Sequence, residues 1–169
     1  DAEGKFVMPG FVDCHTHAIF AGYRDFELEW KIDGLSYKEI AERGGGIGYT
    51  VEQTRKASKE KLLQETMKRI EEMIKHGTTT VEIKSGYGLN LKNEIKMLEV
   101  INSINKIDVV PTFLVHAVPA GKEADEYVEE VINEMIPEIA ERKLAKFIDI
   151  FCEEGYFSVE QSRKVLLKG

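Results

Sequence analysis

The sequence predicts an α/β fold in which strands alternate with helices around a parallel sheet. Two observations carry this. Short β-rich runs recur at "FVDCHTH" (11–17), "TTTVEIKSG" (78–86), "DVVPTFLVH" (108–116) and "AKFIDIFCEE" (145–154), and a helical pattern follows each one. The runs are also largely apolar on both faces, as strands buried in a parallel sheet are. With 169 residues and a 43% hydrophobic share, the chain suits one domain with a sizeable core.

In chain order, the first run leads into a long connection, residues 18 to about 57, carrying a short helix at "SYKEIAER" (36–43) and the run "GGGIG" (44–48). Connections of that length inside a compact domain are usually lids or binding loops. The glycines could cradle a phosphate, but no P-loop lysine or dinucleotide-binding spacing follows, so a hinge or tight turn is the expectation. Leu63, Met67, Ile70 and Ile74 then form a helical apolar stripe that stops at His76 and Gly77. After the second strand, Leu91, Ile95, Leu98, Ile101 and Ile104 keep helical spacing. After the third, Tyr127, Val128, Val131, Ile132, Met135 and Ile136 do the same, until Pro137 kinks or restarts the helix. Ser158 and Gln161 in "SVEQ" form a capping box for the last helix.

A formal net charge of −7, with both signs interspersed, argues against nucleic-acid binding and against an anionic membrane surface. Cys14 and Cys152 are too few for a disulfide scaffold, which fits reduced thiols in the cytoplasm. No apolar run approaches the roughly 18 residues needed to span a bilayer.

The chemistry begins at "MPGFVDCHTHAIFAG" (8–22), which holds two of the four histidines. Residues i and i+2 of a strand point to the same side, so His15 and His17 can offer two imidazoles to one metal ion. The bland reading is a pair of half-exposed loop histidines. Their place at the C-terminal end of a parallel strand, where α/β enzymes keep their sites, favours the metal. Asp13, two residues before His15, is expected on the same side, as a support for a ligand or as a turn residue.

"MPGFVDCHTH" resembles the signature of the amidohydrolase superfamily, metal-dependent hydrolases on a (β/α)₈ TIM barrel. "ERGGGIGYTVEQTRKAS", "HGTTTVEIKSGYGLN", "VVPTFLVHAVP" and "FCEEGYFSVEQSRKVL" narrow the resemblance to the imidazolonepropionases, over about residues 1 to 168. Those enzymes hydrolyse the cyclic amide C–N bond of 4-imidazolone-5-propanoate, giving N-formimidoyl-L-glutamate in histidine degradation. The resemblance implies one divalent or trivalent metal ion, Zn or Fe, held by His15 and His17. It also implies a small-molecule substrate, a cytoplasmic location, and a homodimer for the full-length enzyme.

By the same resemblance Arg24, Tyr87 and His116 bind substrate. A guanidinium fork suits a propionate, although Arg24 could instead pair with Asp25 or Glu27 on the surface. Tyr87 in "KSGYGLN" could hydrogen-bond the ring or the carboxylate, or simply pack over the barrel mouth. His116 follows a segment in which Val115 stands where the family commonly has two small residues, a deletion that could shift the imidazole. An unrelated metal site could also recruit it as a third ligand. His76 reads as structural at a helix C-terminus, Lys84 as a polar barrel residue, and Cys14 as pointing away from the metal. Glu153 and Glu154 end strand four with a pocket-lining or loop role.

A closed barrel needs eight βα units; four are legible here. Residues 1–10 read as a remnant of the family's small β-domain, and 11–169 as the N-terminal half of the barrel. The family's remaining metal ligands and its acid/base residues belong to later strands, so no catalytic acid or base is expected among these residues and the isolated chain is expected to be inactive. Two alternatives stay open: another cyclic amidohydrolase or deaminase, and a non-catalytic half-barrel fragment that binds through its open strand edges.

Overall fold

A computed structural model describes residues 1–169. The four runs form one parallel sheet in sequential order, made of β1 (Phe11–Thr16), β2 (Thr78–Lys84), β3 (Asp108–Val115) and β4 (Phe147–Ile150). β1 and β4 are its edges. Alternation along paired strands gives the sheet two different faces. Val81, Ile83, Phe113, Val115 and Ile150 point into the helix layer and join the main hydrophobic cluster. Glu82 and Lys84, Thr112 and Asp149 lie on the opposite register positions. The result is half of a (β/α)₈ barrel, with a helix-covered outer face and an inner face carrying polar side chains.

The helices are α1 (Glu27–Ile32), α2 (Tyr37–Glu42), α3 (Gly46–Lys56), α4 (Lys59–Lys75), α5 (Leu91–Asn102), α6 (Ala124–Glu130), α7 (Ile136–Glu141) and α8 (Val159–Lys168). The connection expected to carry one short helix therefore carries three. Gly46 and Gly48 sit inside α3, whose N-cap is Gly45. The buried Glu27 carboxylate accepts the Gly46 N–H at 2.6 Å. An acidic side chain thus occupies the anion-favouring end of that helix, and the glycine run is a helix start rather than a phosphate cradle.

Along α4 the fully buried line is Leu62, Thr66 and Ile70. Leu63 and Met67 flank it, while Ile74 is 38% exposed, so the expected stripe is rotated by part of a turn. His76 caps α4, and Gly77 follows with φ +94 in the left-handed region. Pro137 is accommodated by a π-helical turn, Val131–Met135, that precedes it. A proline there has no N–H to give and its ring crowds the carbonyl four residues back, so the extra residue per turn relieves both problems. The capping box of α8 forms as expected, and Ser36 with Glu39 makes a second one on α2. No helix is long and apolar enough to cross a membrane.

Ile83, fully buried at the centre of the sheet, makes the core testable. Ile83→Ala is expected to cost about 2–5 kcal/mol through lost burial and the cavity left behind, read as a lower urea midpoint with an unchanged slope.

Candidate active site

The C-terminal end of β1 and the loops that follow β1, β2 and β3 bring four rings together. The His15 and His17 centroids are 5.5 Å apart. His17 lies 5.1 Å from His116 and 5.7 Å from Tyr87, and Tyr87 lies 5.2 Å from His116. His116 continues the β3 register that puts Thr112 and Leu114 on the inner face. Its imidazole therefore lies within the cluster.

β1 reaches this geometry through an irregularity. Asp13 pairs with Val81 but Thr16 pairs with Ile83, so β1 spends one extra residue between them. Simple alternation is broken there. Asp13 takes the register of Val81, on the helix side, and does not share the side of the histidines as expected. Its carboxylate accepts the His15 backbone N–H at 3.4 Å and bonds no imidazole.

Beyond β1 the chain is held by Arg69 of α4. Its Nη1 donates to the carbonyls of Ala18 (2.8 Å) and Phe20 (3.0 Å), and its Nε donates to the Tyr23 hydroxyl (3.0 Å). The guanidinium also stacks 3.7 Å from the Phe20 ring centroid. This anchors the segment between His17 and Arg24. Arg24 lines a cleft of about 310 Å³ together with Phe20, Glu27, Lys31, Thr50 and Tyr87. It also approaches Glu27 at 3.7 Å, so the ion pair and the cleft position coexist.

Electrostatics favour neutral rings at His17 and His116. Burial, aided by the neighbouring His116, His15 and Lys84, lowers the His17 pKa to about 4. Burial likewise lowers that of His116, against a hydrogen bond with the Gly86 backbone. Burial raises the Tyr87 phenol despite the nearby Arg24, keeping it a hydrogen-bond donor at neutral pH. The buried Nδ1 atoms of His17 and His116 have no hydrogen-bond partner in the chain. Unpaired buried polar atoms are costly unless a ligand satisfies them.

A metal fits this set in part. His17 is in the neutral form that ligates, and His15 stands beside it. No group of three His, Cys, Asp or Glu side chains converges to close a site, so His116 does not complete one with the pair.

Other marked residues fall elsewhere. Lys84 is buried and bonds Glu82 (2.7 Å) and Asp149 (2.9 Å) across the inner face. Burial lowers its pKa, but those two partners raise it more, to above the ordinary 10.5. Lys84→Met should cost about 3 kcal/mol by stranding Glu82. Because folding raises this pKa, the stabilisation is complete below the ordinary lysine range and is lost as pH climbs through the raised value. A urea series across alkaline pH should show that loss in the native chain and not in the variant. Cys14 is exposed. Glu153 and Glu154 are exposed on a separate cleft of about 460 Å³ after β4. Arg69 was not singled out from sequence, and Glu27 only as a surface partner for Arg24, since lone charges on helices look like solvated faces.

The amidohydrolase family model matches residues 6–155. The chain belongs to the amidohydrolase family. Amidohydrolases are in general metal-dependent. The chain is 52% identical, over 98% of its length, to an imidazolonepropionase of Caldanaerobacter subterraneus subsp. tengcongensis. It is 50% identical over its full length to one of Haloarcula marismortui, and 48% identical over 98% to one of Thermoanaerobacter pseudethanolicus. It covers 41% of each of these relatives, so the chain spans about two fifths of their length. As an amidohydrolase, it carries its ring cluster at the C-terminal ends of the strands, where barrel enzymes keep their sites.

Proposed function

We propose that these residues belong to an imidazolonepropionase, in which 11–169 form the N-terminal half of the (β/α)₈ barrel and 1–10 a remnant of a small β-domain. One observation carries the reading. His15, His17, Tyr87 and His116 cluster at the strand ends, with Arg24 on the same cleft as Tyr87, in a chain about half identical to enzymes of that name.

His15 and His17 would hold a Zn or Fe ion, with the remaining ligands coming from later strands. When bound, such an ion supplies activated water at neutral pH, lowering the pKa of water from 15.7 toward about 7. Arg24 takes the propionate with a bidentate fork, relaxing its contact with Glu27. Tyr87 donates its phenol proton to the substrate, and the neutral His116 ring packs against Tyr87 to orient the imidazolone. Water adds to the ring carbonyl carbon and the ring C–N bond breaks. The nitrogen leaves with a proton and N-formimidoyl-L-glutamate forms. General acid and base groups come from the later strands, and the full-length enzyme works in the cytoplasm as a homodimer.

The test is hydrolysis by the full-length protein of 4-imidazolone-5-propanoate beside ring amides that lack the carboxylate. Preference for the propanoate supports the reading. Equal rates on the carboxylate-free amides would sink it in favour of another cyclic amidohydrolase.

A further inference from the structure

The loop that carries Tyr87, residues 85–90 between β2 and α5, is gripped from two sides. Glu94, in the first turn of α5, is fully buried. Its Oε2 accepts the Gly86 N–H at 2.8 Å, and its Oε1 accepts those of Gly88 (2.7 Å) and Leu89 (2.8 Å). From the other side, Arg55 of α3 donates to the Gly88 carbonyl at 2.6 Å and to the Leu89 carbonyl at 3.3 Å. The amides on both sides of Tyr87 are thus held by one carboxylate.

The loop geometry is demanding. Gly86 has φ +108, and a Cβ on Gly88 would meet the Glu94 backbone nitrogen at 2.5 Å. Leu89 holds φ +51, uncommon for a leucine. Left alone, such a loop would sample easier conformations; strained backbone persists where the surroundings over-determine it. A buried carboxyl is also a costly way to obtain stability alone, since an apolar side chain at the same place avoids the desolvation. Burial does push the Glu94 carboxyl up, against the hydrogen bonds from Ser85, Leu89, Gly86 and Gly88 that pull it down. What the arrangement yields is one fixed loop conformation, and the side chain fixed by it is Tyr87. Gly86 also packs under His116, its Cβ position 3.0 Å from that of the histidine, so the same clamp sets the spacing of the two rings.

We propose that Glu94, with Arg55 as its counterpart, is a positioning residue that holds Tyr87 at its substrate contact. The inference rests on the imidazolonepropionase reading for the identity of that substrate, and on the loop geometry for the rest.

The test uses the full-length protein with a fluorinated tyrosine at position 87, with and without Glu94→Gln, whose amide cannot accept at both oxygens. The expected result is a broadened or split fluorine signal. It comes with a kcat/KM lower by roughly tenfold or more on 4-imidazolone-5-propanoate, carried by KM. In a Tyr87→Phe background the same substitution should cost about twofold at most, because the contact it positions is already gone. An unchanged fluorine signal, or an undiminished loss in the Tyr87→Phe background, overturns the proposal. If Glu94→Gln does not fold, Arg55→Lys, which keeps the charge and loses the fork, is judged by the same criteria. If the native protein does not hydrolyse the substrate, the functional reading fails, and the fluorine signal alone decides whether Glu94 places Tyr87.

Discussion

Replacing His17 with asparagine in the full-length protein is expected to release the metal and to cut kcat/KM by more than roughly 100-fold. That figure is the upper end of what losing a residue behind a ligand costs, and His17 is proposed as a ligand itself. Among the histidines it is the most informative to remove. It lies between His15 and His116, within 5.5 Å of both by ring centroid. Its buried Nδ1 lacks a partner, and its depressed pKa keeps the ring neutral. The fold should tolerate the change, since no hydrogen bond to the rest of the chain is lost through that atom. Metal content by mass spectrometry, read beside the melting temperature, separates the two effects. Loss of metal at a near-native melting temperature is the expected pattern. Retained metal with retained rate would remove His17 from the site.

The second large effect concerns Arg24. Arg24→Lys keeps the charge but gives up the planar fork, and hydrogen bonds to charged groups contribute about 1.5–3 kcal/mol each. The expected loss is roughly 10- to 100-fold in kcat/KM on the propanoate substrate, mostly as a higher KM. On a ring amide without the carboxylate the same substitution should change little. Glu27 complicates a cruder experiment. Removing Arg24 altogether leaves a buried carboxylate with only Gly46 and Lys31 to answer it, so Arg24→Ala mixes binding with stability. A loss of equal size on both substrates would place Arg24 in the structure rather than at the carboxylate.

The strands were legible because the chemistry of a buried parallel sheet is written locally. Each run is β-rich and followed by a helical stripe, although only the helix-covered face is apolar: the inner face carries Glu82, Lys84, Thr112 and Asp149, against the expectation of two apolar faces. The helices of the long connection were not. α3 contains two glycines, each worth about 1 kcal/mol against a helix, and forms because Thr50, Val51 and Thr54 are buried and Glu27 caps its start. That support arrives from 19 residues away and leaves no local mark. α4 shows the same limit at finer scale: its two possible stripes differ by one residue, and only packing chooses Leu62 over Ile74.

The site divides the same way. His-x-His announces itself by spacing, and its place on β1 was read correctly although the register step that displaces Asp13 was not. Arg24, Tyr87 and His116 came from motif resemblance, and the structure brings Tyr87 and His116 to the His15–His17 pair and Arg24 to the Tyr87 cleft. The residues that hold these groups in place, Arg69, Arg55 and Glu94, act through backbone carbonyls and amides. Such contacts have no sequence signature, because any residue presents the same backbone to them.

Anomalous X-ray scattering from crystals of the full-length protein, soaked with a propanoate-bearing product analogue, tests the central claim most directly. A single metal peak between the imidazoles of His15 and His17, with the analogue's carboxylate on the Arg24 fork and its ring beside Tyr87 and His116, is the expected result. A metal peak away from those two histidines, or an analogue whose carboxylate sits elsewhere while Arg24 keeps its pairing with Glu27, would contradict it.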